Sequence, residues 1–249
     1  MNGTDILRRL PLTAGPAREE AILEAVKRGD VAISFVDVTS HAGGHDATFS
    51  VSADALRLGT ADDSFRVNAT ARTMQQIADA LGCVLPTSRI CDLIWEQAPV
   101  KLSPCTHGDV HDATRVSTAL MAKYHAEVEA KLAGRTGLIE NVGKHWVLSN
   151  KIVGKTIHGI QAAANYGLYS DVGRFPSGAS RDGLYRVDQP LATDHYIDYT
   201  DYSQVIRLVQ RRCTVDGQDA DLIDVLGDAE LAALASDEGP LAFVRIPGV

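Results

Sequence analysis

DATRVSTALMAKYHAEVEAKLAGRTGLIENVGKHWVLSNKI, residues 112–152, changes its hydrophobic period part-way along. Val116, Leu120, Met121, Tyr124, Val128 and Leu132 recur at helical spacing, which predicts one long helix over 112–132 with Gly134 as its C′ residue. Beyond Gly134 the apolar residues come in strand-length runs. HWVLSNKI (145–152), GIQAAANYG (159–167), QVIRLVQRRCTV (204–215) and LAFVRI (241–246) read as strands of a mostly antiparallel sheet. A helix followed by such strands makes the chain an α+β protein, with the long central helix packed on the sheet.

The same logic extends toward the N-terminus. Pro16 opens a helix with Ile22, Leu23 and Val26 on its apolar face, and Gly29 closes it. VAISFVDV (31–38) reads as a buried strand, while HDATFSVS (45–52) and SFRVNA (64–69) read as two more, joined by the turn-rich GTADDS. Thr70 caps a helix carrying Met74, Ile77 and Leu81, with Gly82 at its end, and Thr87 caps a second with Ile90, Ile94 and Trp95. Residues 217–239 predict two short helices, and residues 170–193, rich in Gly, Pro, Ser and Arg, a long functional loop. One domain over 1–249 is expected; a subdivision would fall between a helix-rich 1–100 and a helix-plus-sheet 101–249.

Composition narrows the function classes. At 249 residues, 45% hydrophobic and 22% charged, the chain has the makeup of an ordinary globular protein with a full core. A net charge of −8 argues against general binding to nucleic-acid backbones. On a strand, Arg207 and Arg211 share a face and mark a local anion contact. No apolar run reaches the ~18 residues of a membrane span, and residues 1–20 lack an apolar core of signal-peptide length. Four cysteines without CxxC spacing point away from a zinc site or disulfide framework. A cytoplasmic, reduced setting is expected, although release by lysis or association with a virion leaves the same signature. Nucleotide-binding glycine motifs are absent, and no cofactor is expected.

Polar chemistry concentrates between His145 and Val209, inside apolar sequence. On a strand, His145 shares a face with Val147 and Ser149, and a near-neutral imidazole there can act as a general base. DHYIDYTDYSQ (194–204) gathers His195, Asp198, Tyr199, Asp201, Tyr202 and Ser203, a set suited to stacking on and hydrogen-bonding a ligand, with a Ser nucleophile available but no GxSxG elbow around it. CTHGDVHD (105–112) places His107 and His111 beside Cys105, Asp109 and Asp112; a metal site competes there with the simpler reading that Asp109–Asp112 cap the long helix. His41 and His45 in HAGGH read as a flexible loop.

Two resemblances follow from these residues. Cys105, the long helix, His145 and Asn165 occur in an element order that resembles papain-like amidases of the NlpC/P60 and CHAP groups, which implies Cys105 as nucleophile and His145 as base. GKHWVLSNK, AANYG and DYSQVIRLV resemble a set of uncharacterised bacterial and phage proteins, which implies a microbial or virion setting and transfers no catalytic residue. The expectation is therefore a hydrolase of an amide or peptide-like bond, cell-wall material included. His145 acts as base, Cys105 or Ser203 as nucleophile, and His195 and Asp198 orient or bind. Lys144, Asn165, Tyr199, Tyr202 and Arg207 contact a peptide-like or glycan ligand. The alternative is a non-enzymatic glycan- or protein-binding or assembly protein of a phage or bacterial surface; a metal enzyme using His107 and His111 ranks third.

Overall fold

Three helices begin where the sequence places their starts, at Pro16 and after the caps Thr70 and Thr87. In the computed structural model, which describes residues 1–107, 113–171, 179–181 and 185–249, the first half comprises α1 (Gly3–Arg9), α2 (Pro16–Lys27), β1 (Val31–Ala32), β2 (Phe35–Ala42), β3 (His45–Ser52), β4 (Arg57–Gly59), β5 (Ser64–Arg66), α3 (Ala71–Ala80), β6 (Cys83–Val84), α4 (Ser88–Gln97) and β7 (Val100–Lys101). A 3-10 turn, Ala113–Val116, leads into α5 (Thr118–Leu132). Then come β8 (Ile139–Glu140), β9 (Lys144–Val147), β10 (Thr156–Ile157), β11 (Ile160–Asp171), β12 (Ala179–Arg181), β13 (Tyr185–Tyr196), β14 (Gln204–Val205), β15 (Val209–Val215), β16 (Gln218–Asp221) and α6 (Leu222–Gly227). With 30% helix and 34% strand in mostly antiparallel pairing, the chain is α+β, folded as one domain.

The strands divide among several sheets rather than forming one. β12-β13-β11-β9-β14 carries the segment of interest, with β10 on β11. β16-β15-β3-β2, with β6 on β15, lies apart from the β1-β4-β5 hairpin sheet and the parallel β7-β8 pair. Because β15 pairs with both β3 and β6, and one core runs from Ile6 to Ile246, the chain does not split at residue 100.

Several expected elements change. The long helix starts at Thr118: Ser117 Oγ accepts from the Leu120 amide as cap, while the Val116 carbonyl is held by Ala14 N and Arg18 Nη1, so the preceding residues stay in a 3-10 turn. Asp109, His111 and Asp112 lie outside the described residues. α5 packs against β5, a strand of the antiparallel β1-β4-β5 sheet. The 31–38 strand breaks at Ile33–Ser34, and its residues are mostly half-buried because β2 is a sheet edge. GTADDS joins β4 to β5, so an unforeseen strand, Arg57–Gly59, precedes it. LAFVRI forms no strand. Flanked by Pro240 and Pro247, it gives its amides to Leu226 O, Asn150 Oδ1 and Gln75 Oε1 instead. In the tail, Gln218–Asp221 is strand; only Leu222–Gly227 and a short 3-10 turn at Ala232–Leu234 are helical.

The largest correction concerns residues 170–193. Their described part is strand: β13 runs twelve residues against β11, with Tyr185 and Val187 buried and Arg186 and Asp188 half-buried in period-two alternation. Pro190 sits where the register shifts between Asn165/Ala192 and Gly167/Gln189, a place that needs no ladder donor.

Candidate functional site

Strand alternation on β9 separates the polar residues that the sequence places together. Register sets His145 beside Tyr166 and Val205 on one face, and Lys144 beside Gln204 and Trp146 beside Asn165 on the other. Each face carries its own polar network.

On the first, His145 (1% exposed) meets Glu140 (1%) through Nε2 at 3.4 Å. Arg207 (0%) donates to Glu140 Oε2 at 2.7 Å and to the carbonyls of Ser52 and Ile139 at 2.6 and 2.8 Å. One guanidinium thus joins β3, β8 and the chain leaving β14. Burial pushes the His145 imidazole below its ordinary range, more than the Glu140 carboxylate pulls it back. Burial works to raise the Glu140 carboxyl, but Arg207 and His145 outweigh it and hold it low. A neutral imidazole is a competent base in principle. Here, among the described residues, no hydrogen bond joins it to Cys105 or Ser203.

The second network centres on Asp201. Its carboxylate accepts from Lys144 Nζ at 2.9 Å, Arg115 Nη2 at 3.2 Å, Ser203 N at 2.9 Å and Ser203 Oγ at 2.8 Å. Burial opposes ionisation, yet Lys144 and Ser203 prevail and keep the carboxyl below its usual range. A carboxylate so held is a weak acceptor of the Ser203 proton, and the arrangement orders the 199–204 turn rather than activating its hydroxyl. Asn68 Nδ2 donates to the Asp201 carbonyl, tying the turn to the segment ahead of α3.

The remaining predicted residues scatter. Cys105 is buried in the smaller apolar cluster with Tyr124, Val128 and Tyr202, and burial raises its thiol against the pull of Lys131. Tyr202 accepts the His107 amide through its hydroxyl at 2.8 Å; His107 Nε2 lies 2.8 Å from Glu127. No group of three His, Cys, Asp or Glu is placed to hold a metal among the described residues. His195 stacks on Tyr199 at 4.0 Å between centroids, and its ring meets Trp146 edge-on at 6.1 Å. Asn165 is fully buried with both amide atoms lacking a protein partner, as is Gln204. On the β2–β3 hairpin His41 pairs with Asp46, and His45 pairs with Asp216 of the β15–β16 turn.

Asp198 borders a cavity of ≈590 Å³ that runs along α2 beside the start of α3. Arg72 holds it bidentately, with Nε to Oδ1 at 2.6 Å and Nη2 to Oδ2 at 3.2 Å, while the Arg72 amide caps the Ile197 carbonyl. Glu19, Glu20, Thr70, Thr73 and Gln76 line the wall. Glu19 Oε2 accepts from the Thr70 amide at 2.9 Å, at the N-cap of α3. No family model, curated protein or solved structure matches this chain.

Glu19 and the cavity escaped the sequence reading, though a signal was there. Glu19 precedes Ile22, Leu23 and Val26 by three, four and seven residues, so a carboxylate stands on the apolar stripe of α2. A charge at a core-facing position asks for a partner or a ligand.

Proposed function

We propose that this chain is a binding protein for a peptide-like or glycan ligand at a bacterial or phage surface, with its site in the cavity bordered by Asp198. The cavity carries the reading. It is concave, of a size that fits small-molecule sites, and lined by hydroxyl, amide and carboxylate groups over an apolar floor at Leu23. The hydrolase reading has less behind it: His145 is committed to Glu140, the Cys105 thiol is raised by burial, and Ser203 leans on a carboxylate with little basicity.

A lysine-containing muropeptide offers sugar hydroxyls and peptide in one soluble probe. Calorimetric titration should show saturable binding that Thr73→Trp, which fills the cavity, abolishes. Chromatography should recover the muropeptide uncleaved. Cleavage that disappears in a folded His145→Ala variant contradicts the reading, as does an absence of binding.

A further inference from the structure

β2 is the edge of its sheet and pairs, along its whole length, only with β3. Its outer backbone is capped at the middle by a side chain. Gln97, exposed at the end of α4, accepts from the Thr39 amide through Oε1 at 2.9 Å and donates to the Thr39 carbonyl through Nε2 at 2.7 Å. One carboxamide thus makes the two bonds that a neighbouring antiparallel strand would make at that residue. By the same alternation, the amides and carbonyls of Asp37 and His41 point outward beside those of Thr39, and no described residue bonds them. The side chains of all three are exposed on the outer face.

An open edge of this kind is a template for another strand, and the charges along it select which one. Asp37 has no ion pair among the described residues, while His41 meets Asp46 at 2.9 Å between two exposed groups. A second copy of β2, run antiparallel about a two-fold axis, matches outward groups in three registers. Centring on Asp37 sets carboxylate against carboxylate, and centring on His41 sets imidazole against imidazole. Centring on Thr39 sets Asp37 of each copy against His41 of the other, on either side of a Thr39–Thr39 pair. Opposite charges across strands stabilise and like charges destabilise, so the Thr39 register is the favoured one.

We propose that β2 pairs with β2 of a second copy of this chain about a two-fold axis at Thr39, and that Gln97 is the latch that swings away when it does. The inference is independent of the cavity reading. Strand-edge pairing buries little area, which makes the dimer a transient one. The latch is exposed, so opening it costs the two Gln97 hydrogen bonds, which the second copy's backbone replaces.

The test is sedimentation equilibrium of the full chain from micromolar to millimolar concentration. Gln97→Ala, an exposed change that spares the fold, should tighten self-association by about tenfold, the worth of one net hydrogen bond that no longer has to be displaced. In that background Asp37→Lys should return the chain to monomer, and adding His41→Asp, which exchanges the two charges, should restore the dimer. Oxidation with copper–phenanthroline reads the register. Directly paired Cα atoms stand about 5.5 Å apart, within disulfide reach, so Thr39→Cys should cross-link to its own copy. His41→Cys should not, because it faces Asp37 of the second copy rather than itself. A Gln97→Ala variant that stays monomeric overturns the proposal and leaves the edge to a foreign strand or to none. Dimers indifferent to Asp37→Lys, a charge exchange that fails to restore association, or cross-linking through His41→Cys as readily as through Thr39→Cys each place the contact elsewhere and overturn it too.

Discussion

Replacing Arg207 by Leu removes the one group that neutralises Glu140 at 2.7 Å and also holds the Ser52 and Ile139 carbonyls. The leucine leaves a carboxylate at 1% exposure with only the His145 contact at 3.4 Å, and two carbonyls without their donor. Breaking a buried pair from one side typically costs about 3–5 kcal/mol, because the remaining charge has no water to return to. For a chain of this size each kcal/mol lowers Tm by roughly 2–4 °C, so a fall on the order of 6–20 °C is expected. Urea unfolding followed by far-ultraviolet circular dichroism gives the free energy directly. Adding Glu140→Gln to Arg207→Leu should recover part of the loss, since the stranded charge is gone, while the carbonyls remain unpaired. A loss below about 1 kcal/mol in the single variant, or no recovery in the double, refutes the bracing role assigned to this network.

Three further outcomes follow from named contacts. His125 is half-buried beside Arg66 and Arg57, and burial followed by those charges lowers its pKa to about 4; the unfolded chain takes up that proton near pH 6.5 and the folded one does not, so stability should fall as pH drops from 6.5 toward 4, with a shallower slope between pH 6.5 and 5 in His125→Gln. All four cysteines are buried, with Cys83 and Cys213 raised to about 11, so Ellman's reagent should label none of them quickly until denaturant is added; rapid labelling of Cys105 in the native protein contradicts its placement. A Cβ at Gly143 meets the Ser203 carbonyl at 2.6 Å and Val205 at 2.7 Å, at φ +147°, so Gly143→Ala should destabilise by about 1–3 kcal/mol in the same urea assay, and a neutral effect contradicts the close β9–β14 approach.

The fold was legible where local chemistry is strong. Thr70, Thr87 and Pro16 placed three helices because a cap or a fixed φ acts within one turn. What eluded the sequence depends on partners distant in the chain. β13 hid behind turn-forming composition because its alternation has meaning only against β11, and LAFVRI looked like a strand because nothing local reveals that its amides go to Asn150 and Gln75. Polar groups inside apolar sequence, as between His145 and Val209, need hydrogen-bond partners whether or not they form a site. Ser203 serves Asp201 from within the segment, but Glu140, Asn68, Ser52 and Arg115 all lie outside it, so density along the chain did not translate into one site in space.

His145 tests this account most directly. Its ring should be followed by two-dimensional NMR across pH, with Cys105→Ala, Ser203→Ala and Glu140→Gln variants for comparison. The account predicts titration below the ordinary histidine value of about 6.5, unchanged by Cys105→Ala or Ser203→Ala and shifted by Glu140→Gln. Titration at or above that value, moved by loss of Cys105 or Ser203 and indifferent to Glu140, contradicts it and restores His145 as a base.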